Sequence, residues 1–242
     1  VKDTLPPQPF PVRINVMLDP SINAFAAPAG YVFVNTGLIQ QMENEDEIAA
    51  VIAHELAHVS ERHIAQRIAQ SQIISIGTLV GVLAGALLGA GGAALGQALS
   101  VGAMAGGQAA SLKYSRDDER EADRLGLRFL TGAGYEPQAM MRTFQHMLEQ
   151  MRMSGRNKPP DYMLTHPGLG ERIGSVQDMV SYYRPKPPLA KEDTQALERV
   201  QMLIRTKYSR NPEQSFLLGR DDQELNCLEL LGKGIVLAKL HR

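Results

Sequence analysis

The sequence predicts an α+β fold, mostly α-helical, with a small β-sheet packed beside one buried helix. Two short N-terminal segments alternate apolar and polar residues with the period of a strand. The stretch from Ile48 to Val59 is apolar nearly all round and too long for a strand. Later segments repeat their apolar residues at helical spacing.

A chain of 242 residues can bury the core of one sizeable domain, or of a domain with an appendage. Hydrophobic content of 44% and charged content of 21% describe a globular protein rather than a disordered one. With 25 Lys+Arg against 26 Asp+Glu, the formal net charge of -1 offers nothing to draw in nucleic acid. The single cysteine, Cys227, excludes an internal disulfide and a cysteine-based zinc site. No charged segment followed by an apolar one opens the chain, so any signal peptide or anchor is expected to lie outside it.

In chain order, Val12 to Leu18 alternates as a strand, and Tyr31 to Asn35 is a second strand, closed by Thr36 and Gly37. Asn44 followed by Glu45, Asp46 and Glu47 is a helix start: Asn44 caps, Glu47 closes a capping box, and the acids suit the positive end of the dipole. This helix is expected to run from about 45 to about 70. From Arg67 to Lys113 no residue between is charged, and Ile76 to Gly96 is apolar enough to raise a transmembrane helix. Its glycines argue instead for a closely packed helical hairpin over 74–110, with a membrane-dipping element or a true span as the alternatives. A second helix opens at Ser115 and ends at Gly132 and Gly134. A third begins at Pro137, with Met140, Phe144, Met147 and Met151 as a core stripe. An irregular loop over 157–168 leads to a helix through Arg172, Ile173, Val176 and Met179. Prolines at 185, 187 and 188 mark a linker over 184–190. Beyond it, 191–242 reads as a helical C-terminal segment that faintly resembles the first helix of a tetratricopeptide repeat.

The chemistry sits in the buried helix. His54, Glu55 and His58 form an HExxH pattern, and residues four apart on a helix lie about 40° apart around its axis, so both imidazoles face one point. Apart from these three, every residue from Ile48 to Val59 is Ala, Val, Ile or Leu. Burying two histidines and a carboxylate on one arc is costly unless something pairs with them, and a metal ion does so. Glu55 then stands ready as general base for a metal-activated water. Zinc in a hydrolase takes three protein ligands and leaves one position open. Among six histidines, none lies at position 64, where an extended three-histidine motif would need one; Ile64 stands there. The third ligand is therefore sought as a carboxylate on another helix. Glu119 is the best candidate, with Asp123 on the same face to accept a hydrogen bond from a ligand histidine. His63, five residues beyond His58 and about 140° around a continuous helix, cannot share that metal. His146 falls off the methionine stripe and is expected at the surface.

These pieces together resemble family forty-eight of the zinc metallopeptidases, which includes the CAAX prenyl proteases and the HtpX-type membrane proteases. The likeness rests on Asn23-Ala-Phe-Ala with Gly30, His54-Glu-Leu-Ala-His58 with His63, Ser115 through Glu119 to Asp123, and Thr165-His-Pro with Arg172-Ile173. It runs in the family's order over roughly residues 10 to 183 and is strongest toward the periplasmic β-barrel-assembly-enhancing branch. The resemblance implies a zincin-type peptidase domain over 1–183 and one Zn²⁺ per chain on His54, His58 and Glu119. It makes His166 either a stabiliser of the oxyanion or an occupant of the fourth zinc position, and places Arg172 as its companion near the substrate carbonyl. It further implies protein or peptide substrates, a periplasmic or envelope-associated bacterial location, and outer-membrane assembly machinery and peripheral membrane contact as partners. The strand Tyr31, Val32, Phe33 and Val34 is expected to be an edge that holds extended substrate by β-augmentation. Two rivals to a zinc endopeptidase of unfolded or misassembled proteins are a self-inhibited metal-containing chaperone closed by His166, and a membrane-associated protease of lipid-linked peptides.

Overall fold

The computed structural model describes residues 1–69, 114–153, 161–183 and 195–241. Strands β1 (Arg13–Met17), β2 (Ala24–Ala27) and β3 (Tyr31–Asn35) form one mixed sheet in the order β1-β3-β2. β3 pairs in parallel with β1 and antiparallel with β2. The expectation that Tyr31, Val32, Phe33 and Val34 form an edge is therefore wrong. Their strand is central, with its backbone hydrogen bonds spent on neighbours to both sides, so it cannot accept a substrate strand. The outer strands are β1 and β2. The link from β2 to β3 turns through Ala29 and Gly30 at positive φ. A Cβ on Gly30 would stand 2.7 Å from the Phe10 ring and 2.9 Å from the Pro11 carbonyl oxygen, so only glycine fits there.

Val32 and Val34 point into the core, while Tyr31 and Phe33 alternate to the outer face, where Phe33 stacks with both Tyr31 and Phe25 of β2. Directly after β3 comes α1 (Thr36–Gln41), a short helix where the sequence suggested only a closing turn. Helix α2 (Glu45–Ser60) carries the HExxH pattern and is capped by the Asn44 side chain, which accepts from the Glu47 amide. The Glu47 carboxylate accepts from the amide of Glu43, one residue earlier than a closed box requires.

The helix expected from 45 to 70 is broken. At Glu61 and Arg62 the chain turns, with Arg62 in the left-handed region at φ 58, and helical geometry resumes over 63–69. Periodicity cannot reveal such a kink, because the residues on both sides remain good helix formers.

Helix α3 (Arg116–Gly132) begins with a closed capping box between Ser115 and Asp118. It packs along α2, and α4 (Gln138–Met153) covers the next face of α2. Met140, Phe144 and Met147 of α4 are buried in the core, as their spacing predicts. The short α5 (Asp161–Thr165) leads through a loop at His166 to α6 (Leu169–Ser181), which packs on α3 and α4. Further on, α7 (Ala196–Arg205) docks on α1: the Gln201 side chain donates to the carbonyls of Ile39 and Met42, and Gln40 donates back to the Gln201 carbonyl. Helix α8 (Cys227–Leu240) packs on α7 around Met202, Leu217 and Leu225.

The hairpin expected over 74–110 and the linker over 184–190 lie outside the described residues. Among the described residues no helix is long and apolar enough to cross a membrane.

Candidate metal centre

The four side chains that define the centre arrive from three directions. α2 contributes His54 and His58, α3 contributes Glu119, and the loop after α5 contributes His166; all four are fully buried. Their ligand atoms lie within 4.8 Å of one another. His54 Nε2 is 3.1 Å from His58 Nε2 and 3.4 Å from His166 Nδ1. The two Glu119 oxygens stand 3.5 Å from His54 Nε2, 3.6 Å from His58 Nε2 and 3.0 Å from His166 Nδ1. A metal ion bound tetrahedrally at about 2.0–2.1 Å needs ligand atoms about 3.3–3.4 Å apart. The donor set therefore fits a four-coordinate ion in both its chemistry and its spacing.

The electrostatics agree. Burial opposes a charge on His54, but the Asp123 and Glu119 carboxylates outweigh it and push its pKa up to about 9. Burial, together with His54 and His166 beside it, holds His58 well below its ordinary value. Glu119 stays well below the usual carboxylate range: burial works against its charge, and His166, His54 and Arg172 overcome it. Positive charge is thus favoured at His54 and disfavoured at His58, and a single cation between them would satisfy both.

Each ligand on α2 is held from behind. His54 Nδ1 lies 3.1 Å from Asp123 Oδ1. Arg172 from α6 grips Asp123 with two donors, Nε at 2.8 Å and Nη2 at 2.6 Å, and its Nη1 also ion-pairs with Glu119. Those contacts commit Arg172 to the two carboxylates, away from the substrate position assigned to it by resemblance. His58 Nδ1 meets His63 Nδ1 at 2.9 Å, and His63 Nε2 reaches Glu121 Oε2 at 3.4 Å. The kink at Arg62 swings His63 beneath His58, so a residue that cannot be a ligand orients one.

Glu55 is fully buried on the other side of the quartet. Its Oε1 is 3.5 Å from His166 Nε2, and neither carboxylate oxygen has a hydrogen-bond partner of good geometry. Burial pushes its pKa up, against the weaker pull of His166, His54 and the Ala26 amide of β2. Two aromatic rings that the sequence did not single out complete the walls. Tyr114 stacks on His58 at 3.8 Å between centroids, and Tyr162 stacks on His166 at 4.3 Å. Both hydroxyls are buried without a partner. His146 is half-buried at a distance from this centre, between Glu43 and Glu47. No sequence period marks these tyrosines, because each adjoins the site only through the tertiary fold.

Residues 3–180 match the sequence profile of peptidase family M48. The chain is 34% identical over 183 residues to the beta-barrel assembly-enhancing protease of Yersinia pestis, covering 76% of this chain and 37% of that protein. It is 33% identical to the Escherichia coli K12 protein of the same name, with the same coverage. Against the mitochondrial metalloendopeptidase OMA1 of Arabidopsis thaliana the identity is 32% over 160 residues, 66% of this chain and 30% of that protein. The chain thus spans only about a third of the length of these relatives. The match contains the buried quartet, Glu55 and all the residues that orient them. This chain belongs to peptidase family M48, a family of metallopeptidases.

Proposed function

We propose that the chain is a zinc-dependent endopeptidase that hydrolyses unfolded or misassembled proteins of the bacterial envelope. The observation that carries this reading is the tetrahedral spacing of His54, His58, Glu119 and His166 with an unpaired buried carboxylate, Glu55, beside it. A zinc ion held by His54, His58 and Glu119 would supply Lewis-acid polarisation of the scissile carbonyl and make a water more acidic. Glu55 takes a proton from the attacking water and passes it to the leaving nitrogen. Its burial keeps its proton affinity high enough for both transfers. Asp123 and His63 hold the two α2 imidazoles in one tautomer, with Nε2 facing the ion and Nδ1 turned outward. Arg172 holds Asp123 and Glu119 in place.

Substrate backbone is held by β2 rather than β3. Among the described residues β2 pairs only with β3, lies against α2, and turns its Ala26 amide toward Glu55. An extended peptide pairing with its outer edge would run past the general base, and such pairing reads backbone more than side chains. That favours unfolded segments as substrates. The names of the assembly-enhancing relatives support an envelope location and a link to outer-membrane assembly. Residues 1–183 form the peptidase domain and 191–242 a helical appendage, the start of a tetratricopeptide-like region.

A second reading concerns control of the same site. We infer that His166, within the quartet of a wholly buried centre, closes the site at rest and must give way to substrate; its burial among the other three residues supports this. Replacing His166 by Ala separates the two roles weighed for it. Zinc-loaded His166→Ala should cleave fluorescein-labelled casein faster than the wild type, with activity abolished by a chelator. A slower variant would make His166 a stabiliser of the reaction and contradict the resting-state reading.

A further inference from the structure

Tyr162 is the one fully buried aromatic residue of the centre whose polar atom the mechanism above leaves unused. It lies at the start of α5, is 0% exposed, and has no hydrogen-bond partner for its hydroxyl. Its ring stacks on His166 with the planes 21° apart and sits 6.4 Å from the His54 ring. Its backbone amide donates to the carbonyl of Ile22, immediately before the chain enters β2. The residue therefore stands between the ligand histidines and the lead-in to the strand that would carry substrate.

A buried hydroxyl without a partner costs about 1–3 kcal/mol, a penalty that phenylalanine would avoid while keeping the same ring contacts. Asn23, next to Ile22, also has its side-chain oxygen buried and unpaired. Two unpaired buried polar atoms thus belong to residues joined through Ile22, next to β2, where a peptide backbone would bring donors and acceptors. At the carbonyl being attacked, negative charge develops on oxygen and calls for a donor. Arg172 cannot supply it without releasing Asp123 and Glu119.

We propose that Tyr162 is a catalytic residue, donating its hydroxyl proton in a hydrogen bond to the carbonyl oxygen of the peptide bond under attack. The proton stays on the phenol throughout; no bond to it breaks. The inference rests on the peptidase reading.

Tyr162→Phe tests it, since that change removes one oxygen and keeps the ring. Casein hydrolysis is measured on zinc-loaded protein, in whichever of the wild-type and His166→Ala backgrounds turns over faster, together with zinc content and melting temperature. The expected result is a fall in kcat of about 10- to 100-fold with KM within about twofold, unchanged zinc content, and a melting temperature equal or higher. A kcat within about twofold of the parent overturns the proposal and assigns the hydroxyl to an ordered water. A lower kcat accompanied by a lower melting temperature or lost zinc also overturns it, in favour of a purely structural role. Absence of chelator-sensitive hydrolysis in both parent backgrounds would instead remove the peptidase reading itself, and this inference with it.

Discussion

Asp123 does two things with one carboxylate: it fixes the tautomer of His54 and receives the bidentate grip of Arg172. Replacing it by Asn keeps the volume but removes the charge that both partners face. Zinc affinity of Asp123→Asn, measured by competition with a chromophoric chelator, should weaken by about 10- to 100-fold. Unchanged affinity would mean that His54 needs no orienting partner. The sequence revealed the ligands better than it revealed their supports. His54 and His58 are legible as candidates because four-residue spacing on a helix is local geometry, whereas Glu119 and Asp123 stand out only through their place after the apolar stretch and the family resemblance. His63 is excluded as a ligand by the same helical arithmetic, and the kink at Arg62 is what brings it against His58. Tyr114 and Tyr162 carried no signal at all, since a ring stacked on a histidine leaves no trace in spacing.

Two helices set the geometry of the centre, and their closest approach depends on a missing side chain. A Cβ on Gly126 of α3 would stand 3.2 Å from both the Cα and the N of His54 on α2, and 3.1 Å from Met140 Cε. Backbone cannot yield as a side chain can, so Gly126→Ala must push α3 outward by a few tenths of an ångström, taking Glu119 and Asp123 with it. Chemical denaturation should show a loss of about 1–3 kcal/mol, and chelator competition a weaker zinc site. A variant of wild-type stability and affinity would show that the contact has slack.

The start of α3 carries a pH dependence. Asp118 accepts from the Ser115 amide and from Arg67 at 2.6 Å. Burial opposes its ionisation, but Arg67 and Ser115 outweigh it and hold its pKa below the ordinary value. A carboxylate depressed in the folded state adds stability above its unfolded pKa and loses that contribution as pH falls through the folded value. The melting-temperature deficit of Asp118→Asn should thus be present at neutral pH and shrink toward zero in strong acid. A deficit independent of pH would contradict this account of the cap. The cap itself was readable from Ser115 and the acids after it; its pairing with Arg67, some fifty residues earlier, was not.

At the scale of the molecule, the sheet and the C-terminal helices show where reading a sequence stops. The strand at Tyr31 was correctly placed along the chain but wrongly placed in the sheet, because strand order is a long-range property and alternation is a local one. The correction leaves β2, which lies against α2, as an outer strand. Likewise the C-terminal segment reads as separate helices, yet α7 contributes Leu197 to the main core and is tied to α1 through Gln201. What the whole arrangement shares is one feature: a buried quartet that could hold a metal ion, with the Glu55 carboxylate beside it. The most direct measurement is the rate of casein hydrolysis by His166→Ala protein loaded with one zinc per chain, compared with the same protein also carrying Glu55→Gln. Glu55→Gln should retain its zinc and lose about 10²- to 10⁴-fold in rate. Undiminished hydrolysis in zinc-loaded Glu55→Gln protein would contradict the account.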